Sequence, residues 1–192
     1  MATLHPLALL AVLAALPAGG ANAQQPAAPA AAAVVFPTLG GTNLSGRDFT
    51  LPRDFEGRLN LVFVAFRREQ QAVVDTWLPH ARGLAFRNPE LRFYELPTIA
   101  RGWVLIRPFI EGGMRGGVTE KAARDATITL YTDTERFRRA LALPSDRQVY
   151  ALLVDDAGRV RWRSEGPFTP ARGAALDDAV ERLLAETPGG RE

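Results

Sequence analysis

A near-continuous apolar segment, Leu59 to Phe66, constrains the fold of this chain more than any other feature of its sequence. Only Asn60 interrupts it, whereas a strand with one solvated face would alternate apolar and polar residues. Continuous runs of this kind are typical of central strands that are buried on both faces of a sheet covered by helices. We therefore predict that this segment is the central strand of an α/β domain.

Strand and helix patterns alternate after that segment. A helical stripe covers residues 69–86, and Pro79 should kink this helix or start a second segment, because proline removes a backbone donor. The other predicted elements are a strand at 91–96 closed by Pro97, an apolar helix at 98–111, a loop at 112–117, a strand at 127–132, a short helix at 135–141, a hairpin of strands 149–154 and 159–163, and a helix that starts at Thr169 and Pro170. This order predicts an α/β sandwich with a central mixed sheet of about five strands and helices on both faces.

The predicted hairpin has a distinctive return strand. Its three arginines, Arg159, Arg161 and Arg163, should share one face, with Val160 and Trp162 on the other. We interpret the arginine face as a sheet edge that is protected by charge. We interpret the acidic pair before it, Asp155 and Asp156, as part of the hairpin turn and not as a catalytic acid–base pair.

The two ends of the chain predict processing and flexible segments. An apolar run that ends in the small residues Ala21 and Ala23 indicates a signal peptide at residues 1–23 and export to the periplasm. Residues 24–35 are rich in alanine and proline and predict a flexible linker. The folded domain should then span residues 36–187, followed by a disordered tail at 188–192.

Composition excludes several classes of function. The chain has no cysteine, so it cannot form a disulfide or carry out thiol redox or peroxidase chemistry. Its 23 basic and 21 acidic residues nearly cancel, which argues against a nucleic-acid partner. We predict no cofactor and no metal site.

Three motifs, in order, resemble the thioredoxin fold in its peroxiredoxin-type elaboration. They are residues 51–58 before the central strand, the strand-to-helix step at 131–137, and the hairpin at 153–160. The resemblance implies a thioredoxin-like sandwich.

A closer resemblance rests on residues 94–97, 113–118, 127–131 and 160–163. These segments are similar to a cysteine-less thioredoxin-like family that includes the mitochondrial ATP synthase assembly factor called ATPase complex subunit ten, and bacterial relatives. The resemblance implies a protein partner and is compatible with peripheral association of this chain with a membrane. For the mitochondrial members it implies a role in assembling the membrane sector of ATP synthase.

The thioredoxin resemblance aligns residues Arg67, Arg68, Glu69, Gln70 and Gln71 with the redox motif. Arg68 and Gln71 occupy the two cysteine positions, and a guanidinium group cannot act as a nucleophile. Val149 stands where the fold usually has a cis-proline. Two readings of the two arginines stay open: a contact to an anion at a helix start, or two solvated side chains.

The chain after the leader has one histidine, His80. A metal site would need it together with Glu95, Glu111 or Asp125, and a hydrolase site would need Ser45, Ser145 or Ser164, but no spacing supports either arrangement. A surface histidine is the simpler interpretation.

The candidate partner-binding residues are Trp103, Arg107, Phe109, Met114 and Arg115. They combine an apolar segment with a glycine-flanked tip, and arginine and methionine are both enriched in interfaces. The alternative is that the apolar segment covers one sheet face. Two functions therefore remain: a non-catalytic binding or assembly-assisting module, which we favour, and an enzyme of peroxiredoxin-like fold with a non-thiol site.

Overall fold

The structure, a computed structural model, describes residues 33–106, 112–114 and 120–186, and of residues 104–106 only the backbone. The predicted signal peptide, most of the predicted linker and the predicted C-terminal tail lie outside the described residues. Strands are β1 (Leu39–Asn43), β2 (Asp48–Leu51), β3 (Leu59–Ala65), β4 (Leu91–Ala100), β5 (Ile128–Thr132), β6 (Tyr150–Asp155) and β7 (Val160–Glu165). Helices are α1 (Gln71–Arg87), α2 (Lys121–Ala126), α3 (Thr134–Ala140) and α4 (Pro170–Ala185), with 3₁₀ turns at Arg68–Gln70 and Arg101–Ile106.

The described strands form one mixed sheet in the order β2-β1-β5-β4-β3-β6-β7. The central strands β3, β4 and β5 are parallel, and antiparallel pairs flank them on both sides. The sheet therefore has seven strands, where the sequence predicted about five. No helix in the described part of the chain is long and apolar enough to cross a membrane.

Strand β3 is buried along its whole length, as its apolar run predicts. Leu61 and Phe63 face the layer of α1 and α4, where Trp77 is fully buried. Val62 and Val64 face the opposite layer, which contains α3. Helices on both faces of the sheet are thus confirmed, because one strand supplies side chains to two separate cores.

Strand β4 differs most from the prediction. It continues through Pro97 to Ala100 instead of ending at Pro97, and a 3₁₀ turn at Arg101–Ile106 follows it where a helix at 98–111 was predicted. Residues 107–111 of that predicted helix lie outside the described residues. Pro97 is the last residue paired with β3, and Thr98 is the first paired with β5. The missing backbone donor falls where pairing passes from one neighbour to the other, so the strand tolerates it.

Two helical predictions also need correction. Residues 71–87 form one helix with Pro79 inside it, so Pro79 does not start a second segment. Residues 112–114, predicted as loop, are helical, and residues 115–117 of that predicted loop lie outside the described residues.

The predicted alternation along β7 is wrong. A bulge in the register with β6 leaves Arg161 as the extra residue, since Leu153 pairs with Trp162 and Val154 with Val160. An extra residue reverses the side-chain alternation. Trp162 therefore packs with α1 and α4, while Val160 packs on the other face of the sheet.

Candidate functional site

Residues 67–71, the predicted redox position, are held in place by Gln70, which is buried. Its side-chain oxygen accepts hydrogen bonds from the backbone N–H groups of Phe66 (2.8 Å) and Arg67 (3.2 Å), and its Nε2 donates to the carbonyl of Asp146 (2.9 Å). One amide thus ties the loop after β3 to the segment before β6. Its polar atoms are used for structure and are not free to bind a ligand.

The arginines of this segment are exposed. Arg67 forms an ion pair with Asp146 at 3.0 Å, and this hydrogen bond lowers the pKa of Asp146. Both side chains are about half exposed, so solvent screens the pair and it contributes little stability. Arg68 and Glu69 are exposed, and their side chains make no hydrogen bond or ion pair with any described residue.

The first residue of α1 connects this segment to a buried acid on β4. The Nε2 of Gln71 donates hydrogen bonds to Oε2 of Glu95 (2.8 Å) and to Oδ1 of Asp75 (3.0 Å). Glu95 is 7% exposed. Burial raises the pKa of Glu95, and although the Gln71 hydrogen bond and the charge of Arg82 lower it, the result is a raised value.

Glu95 lines a groove of about 540 Å³ on the α1 side of the sheet. Helix α1 and helix α2 form its walls, with small or apolar residues from both. Phe86, which is 90% exposed, lies at the α1 wall. Other lining residues are Glu56, Arg82, Ala85, Leu91, Arg92, Phe93, Tyr94, Glu120, Ala122, Ala123, Asp125 and Ala126.

The sequence named Glu95 only as a possible metal ligand and missed this arrangement. One signal was available: Leu91, Phe93 and Glu95 alternate along β4, so the acid stands where an apolar residue facing the helix layer is expected. A charge at an inward position is informative because it is seldom buried without a partner.

The structure does not bring the other sequence candidates together. His80 forms a 2.8 Å contact with Asp177 of α4 and stacks on Phe168, whereas Asp125 pairs with Lys121. No group of three or more potential ligands in residues 33–106, 112–114 and 120–186 could hold a metal ion. Ser45 bonds to Asp125 rather than to the histidine.

The predicted partner surface is described only in part. Trp103 is 57% exposed, and Met114 is half-buried in the helical segment 112–114. Arg107, Phe109 and Arg115 lie outside the described residues, as does Glu111.

A second buried acid, Asp155, lies at the predicted hairpin turn. Its carboxylate accepts hydrogen bonds from the backbone N–H groups of Ala157 and Arg159. It also accepts one from Nε of Arg159 (2.8 Å) and one from Nη1 of Arg161 (3.2 Å). Gly158 closes the turn at φ +78°, in the left-handed region that glycine adopts readily. Asp155 therefore serves the turn, as predicted, and two of the three arginines bind it instead of merely covering the edge.

Solved structures of similar fold share little sequence with this chain. Yeast Sco1 with copper bound matches at a TM-score of 0.56 with 12% identity, covering 81% of this chain and 96% of that one. BsSco, a member of the Sco family of cytochrome c oxidase assembly proteins, matches at 0.56 with 11% identity and the same coverage. A putative thiol:disulfide interchange protein DsbE from Chlorobium tepidum matches at 0.50 with 13% identity, covering 80% and 97%.

These similarities establish a thioredoxin-like fold. No curated protein matches the chain. The family model described as ATP10 protein matches residues 22–183, which is most of the chain and includes every described strand. By this match, the chain belongs to the ATP10 protein family.

Proposed function

We propose that this protein is a non-catalytic, exported module that assists the assembly of ATP synthase by binding a protein partner. Membership of the ATP10 family supports the assembly role. The absence of cysteine supports a function without thiol chemistry, because no residue can form the mixed disulfide through which such reactions pass.

One observation carries the non-catalytic part of the proposal. At the position where a redox pair would react, Arg68 is solvated and the amides of Gln70 and Gln71 are used in hydrogen bonds to the protein itself. The position keeps the fold's loop and helix start but offers no thiol nucleophile. A surface for binding is what remains.

The alternative of a non-thiol enzyme lacks comparable support. His80 and Asp177 form the histidine–carboxylate contact that such a site could use. The hydroxyl of Thr76, one turn earlier on α1, donates to the carbonyl of Val73 and accepts from the backbone of Phe168. That hydroxyl is thus engaged as a structural link between α1 and the segment before α4.

The assembly role is tested by deleting the gene and measuring assembled ATP synthase on native gels, with the full-length chain reintroduced. We expect assembled enzyme to fall after deletion and to recover with the parent chain and with Arg68→Ala. Unchanged assembly after deletion would contradict the proposal. Loss of rescue by Arg68→Ala in a protein that folds and accumulates normally would indicate that the redox position still acts.

The partner surface that we propose combines Trp103, Arg107, Phe109, Met114 and Arg115. Trp103→Ala and Arg115→Ala should each weaken capture of the partner by about 1–2 kcal/mol, the range of an interface anchor. The fold should be kept, since Trp103 is exposed. Normal capture by both folded variants would assign this segment to covering the sheet.

Export is tested separately. Protein recovered from the periplasm should begin at Gln24, because Ala21 and Ala23 fit the requirement of signal peptidase for small residues. Intact-mass measurement decides this, and a full-length mass on cell-associated protein would contradict it.

A further inference from the structure

We propose that the groove between α1 and α2 binds an arginine or lysine side chain that projects from an apolar segment of the partner protein, with Glu95 as its counter-ion. This inference rests on the proposed function as a protein-binding module, and it specifies the chemistry of the partner.

Glu95 is buried, and within residues 33–106, 112–114 and 120–186 it has no cationic partner of the kind that buried carboxylates usually have. Among the described residues, it accepts a hydrogen bond from the neutral amide of Gln71 and forms no ion pair. A desolvated carboxylate without a cation is costly, and a cation brought by a ligand would remove that cost. Within the described part of the chain, the site is therefore electrostatically incomplete.

Glu95 differs from the other carboxylates that line the groove. Glu56, Glu120 and Asp125 form ion pairs with Arg47, Arg82 and Lys121, whereas Glu95 has no ion pair with any described residue. Arg82 is 3.9 Å from Glu120, and Arg92 donates to the carbonyls of Pro89 and Leu91. Neither arginine forms an ion pair with Glu95, so the buried carboxylate is available to a guest.

The groove also has the apolar surface that a protein segment needs. Phe86 is 90% exposed at its rim, and Ala122, Ala123 and Ala126 form a smooth opposite wall. An exposed aromatic beside a buried charge suits an arginine, whose planar group stacks on rings and whose donors reach a carboxylate. An apolar guest without a charge would leave Glu95 unpaired.

The test uses two probes of nearly the same shape, phenethylguanidinium and its neutral analogue phenethylurea, titrated into the purified protein and followed by amide chemical shifts. We expect the cation to perturb the amides of β4 and α1 around the groove and to bind at least about fivefold more tightly than the urea, which corresponds to roughly 1 kcal/mol. Equal affinity of the two probes, or no perturbation at the groove, would overturn the inference.

Two variants identify the counter-ion. Glu95→Gln keeps an acceptor for Gln71 and removes the charge, so the preference for the cation should disappear. Asp156→Asn removes the same charge from the exposed hairpin turn and should leave the preference unchanged. A preference that survives Glu95→Gln, or that falls equally in both variants, would overturn the role of Glu95.

The titration is performed at one pH near neutrality, and Asp75 and Arg82 of α1 and Glu120 beside α2 are common to all samples. Because fragment binding is measured on the protein alone, its failure is distinct from a failure of the assembly role, which is measured in cells.

Discussion

Two buried carboxylates, Asp155 at the β6–β7 turn and Glu95 on β4, have opposite environments in the same sheet. Asp155 accepts hydrogen bonds from two backbone N–H groups and from two arginine side chains. Glu95 accepts one from the side-chain amide of Gln71. Burial raises the pKa of both. At Asp155 the backbone bond to Arg159 and the side chains of Arg159 and Arg161 outweigh burial, and the pKa is lowered; at Glu95 burial dominates, and the pKa is raised.

The difference separates a structural acid from a candidate functional one. A carboxylate whose partners are all supplied by its own chain stabilises the fold and has little left for a ligand. A carboxylate that is buried with too few partners costs stability, and such groups cluster at functional sites. We therefore infer that Glu95 serves function in its groove and that Asp155 serves stability at its turn.

The largest effect should come from breaking the complete site. Asp155→Ala should lower the free energy of unfolding by about 3 kcal/mol, because it removes the acceptor of two backbone N–H groups and of two arginines, of which Arg161 keeps its ion pair with Glu186. Urea unfolding measures this. Since the folded pKa of Asp155 is lowered, its stabilisation is present above the ordinary aspartate pKa and is lost as the pH falls through the folded value. A loss below about 1 kcal/mol would show that the arginines find other partners.

A smaller loss is expected at the redox position, where Gln70 is another saturated polar group. Gln70→Ala should cost about 2 kcal/mol, because the N–H groups of Phe66 and Arg67 and the carbonyl of Asp146 lose their partner. Urea unfolding again gives the value. If the cost is negligible, water replaces the amide and the loop is not held by it.

At the incomplete site the sign should reverse. Glu95→Gln should raise the free energy of unfolding at pH 8, by less than about 1 kcal/mol, because it removes a desolvated charge. The raised folded pKa means that the parent loses stability as the pH rises through that value. The advantage of the variant should therefore shrink as the pH is lowered and vanish where the acid is protonated in both states. Destabilisation at pH 8 would mean that an unseen cation already pairs with Glu95.

The smallest effect is expected at Arg68, which occupies the predicted redox position. Its side chain has no partner among the described residues. Arg68→Ala should change the free energy of unfolding by less than about 0.5 kcal/mol, as for other solvated surface side chains. This variant is the matched control for Gln70→Ala in the same loop. A larger loss would mean that Arg68 makes a stabilising contact.

Local periodicity predicted a large part of the fold. The apolar run of β3, the strand at 127–132 and the helix that begins after the Thr169 cap are features of neighbouring residues, and each lies close to its predicted place. The resemblance added the thioredoxin-like arrangement. The absence of a redox pair is also a property of the sequence, because the chain contains no cysteine.

The β1–β2 hairpin escaped prediction because β1 contains two glycines and β2 is only 4 residues long. Gly41 stands in β1 where a Cβ would lie 2.7 Å from atoms of Ile128 and Leu130, so close packing against β5 requires glycine there. Glycine in a sequence weakens a strand prediction, and only the neighbouring strand explains it.

By itself, the sequence determined the central strand, the closing helix and the absence of thiol chemistry. The tertiary structure decided which polar groups meet: Gln71 with Glu95 and Gln70 with Asp146, each on a separate element. It also decided the bulge that reverses the faces of β7. The physical reason is that periodicity is set by adjacent residues, whereas the partner of a buried polar group is set by packing between segments far apart in the chain.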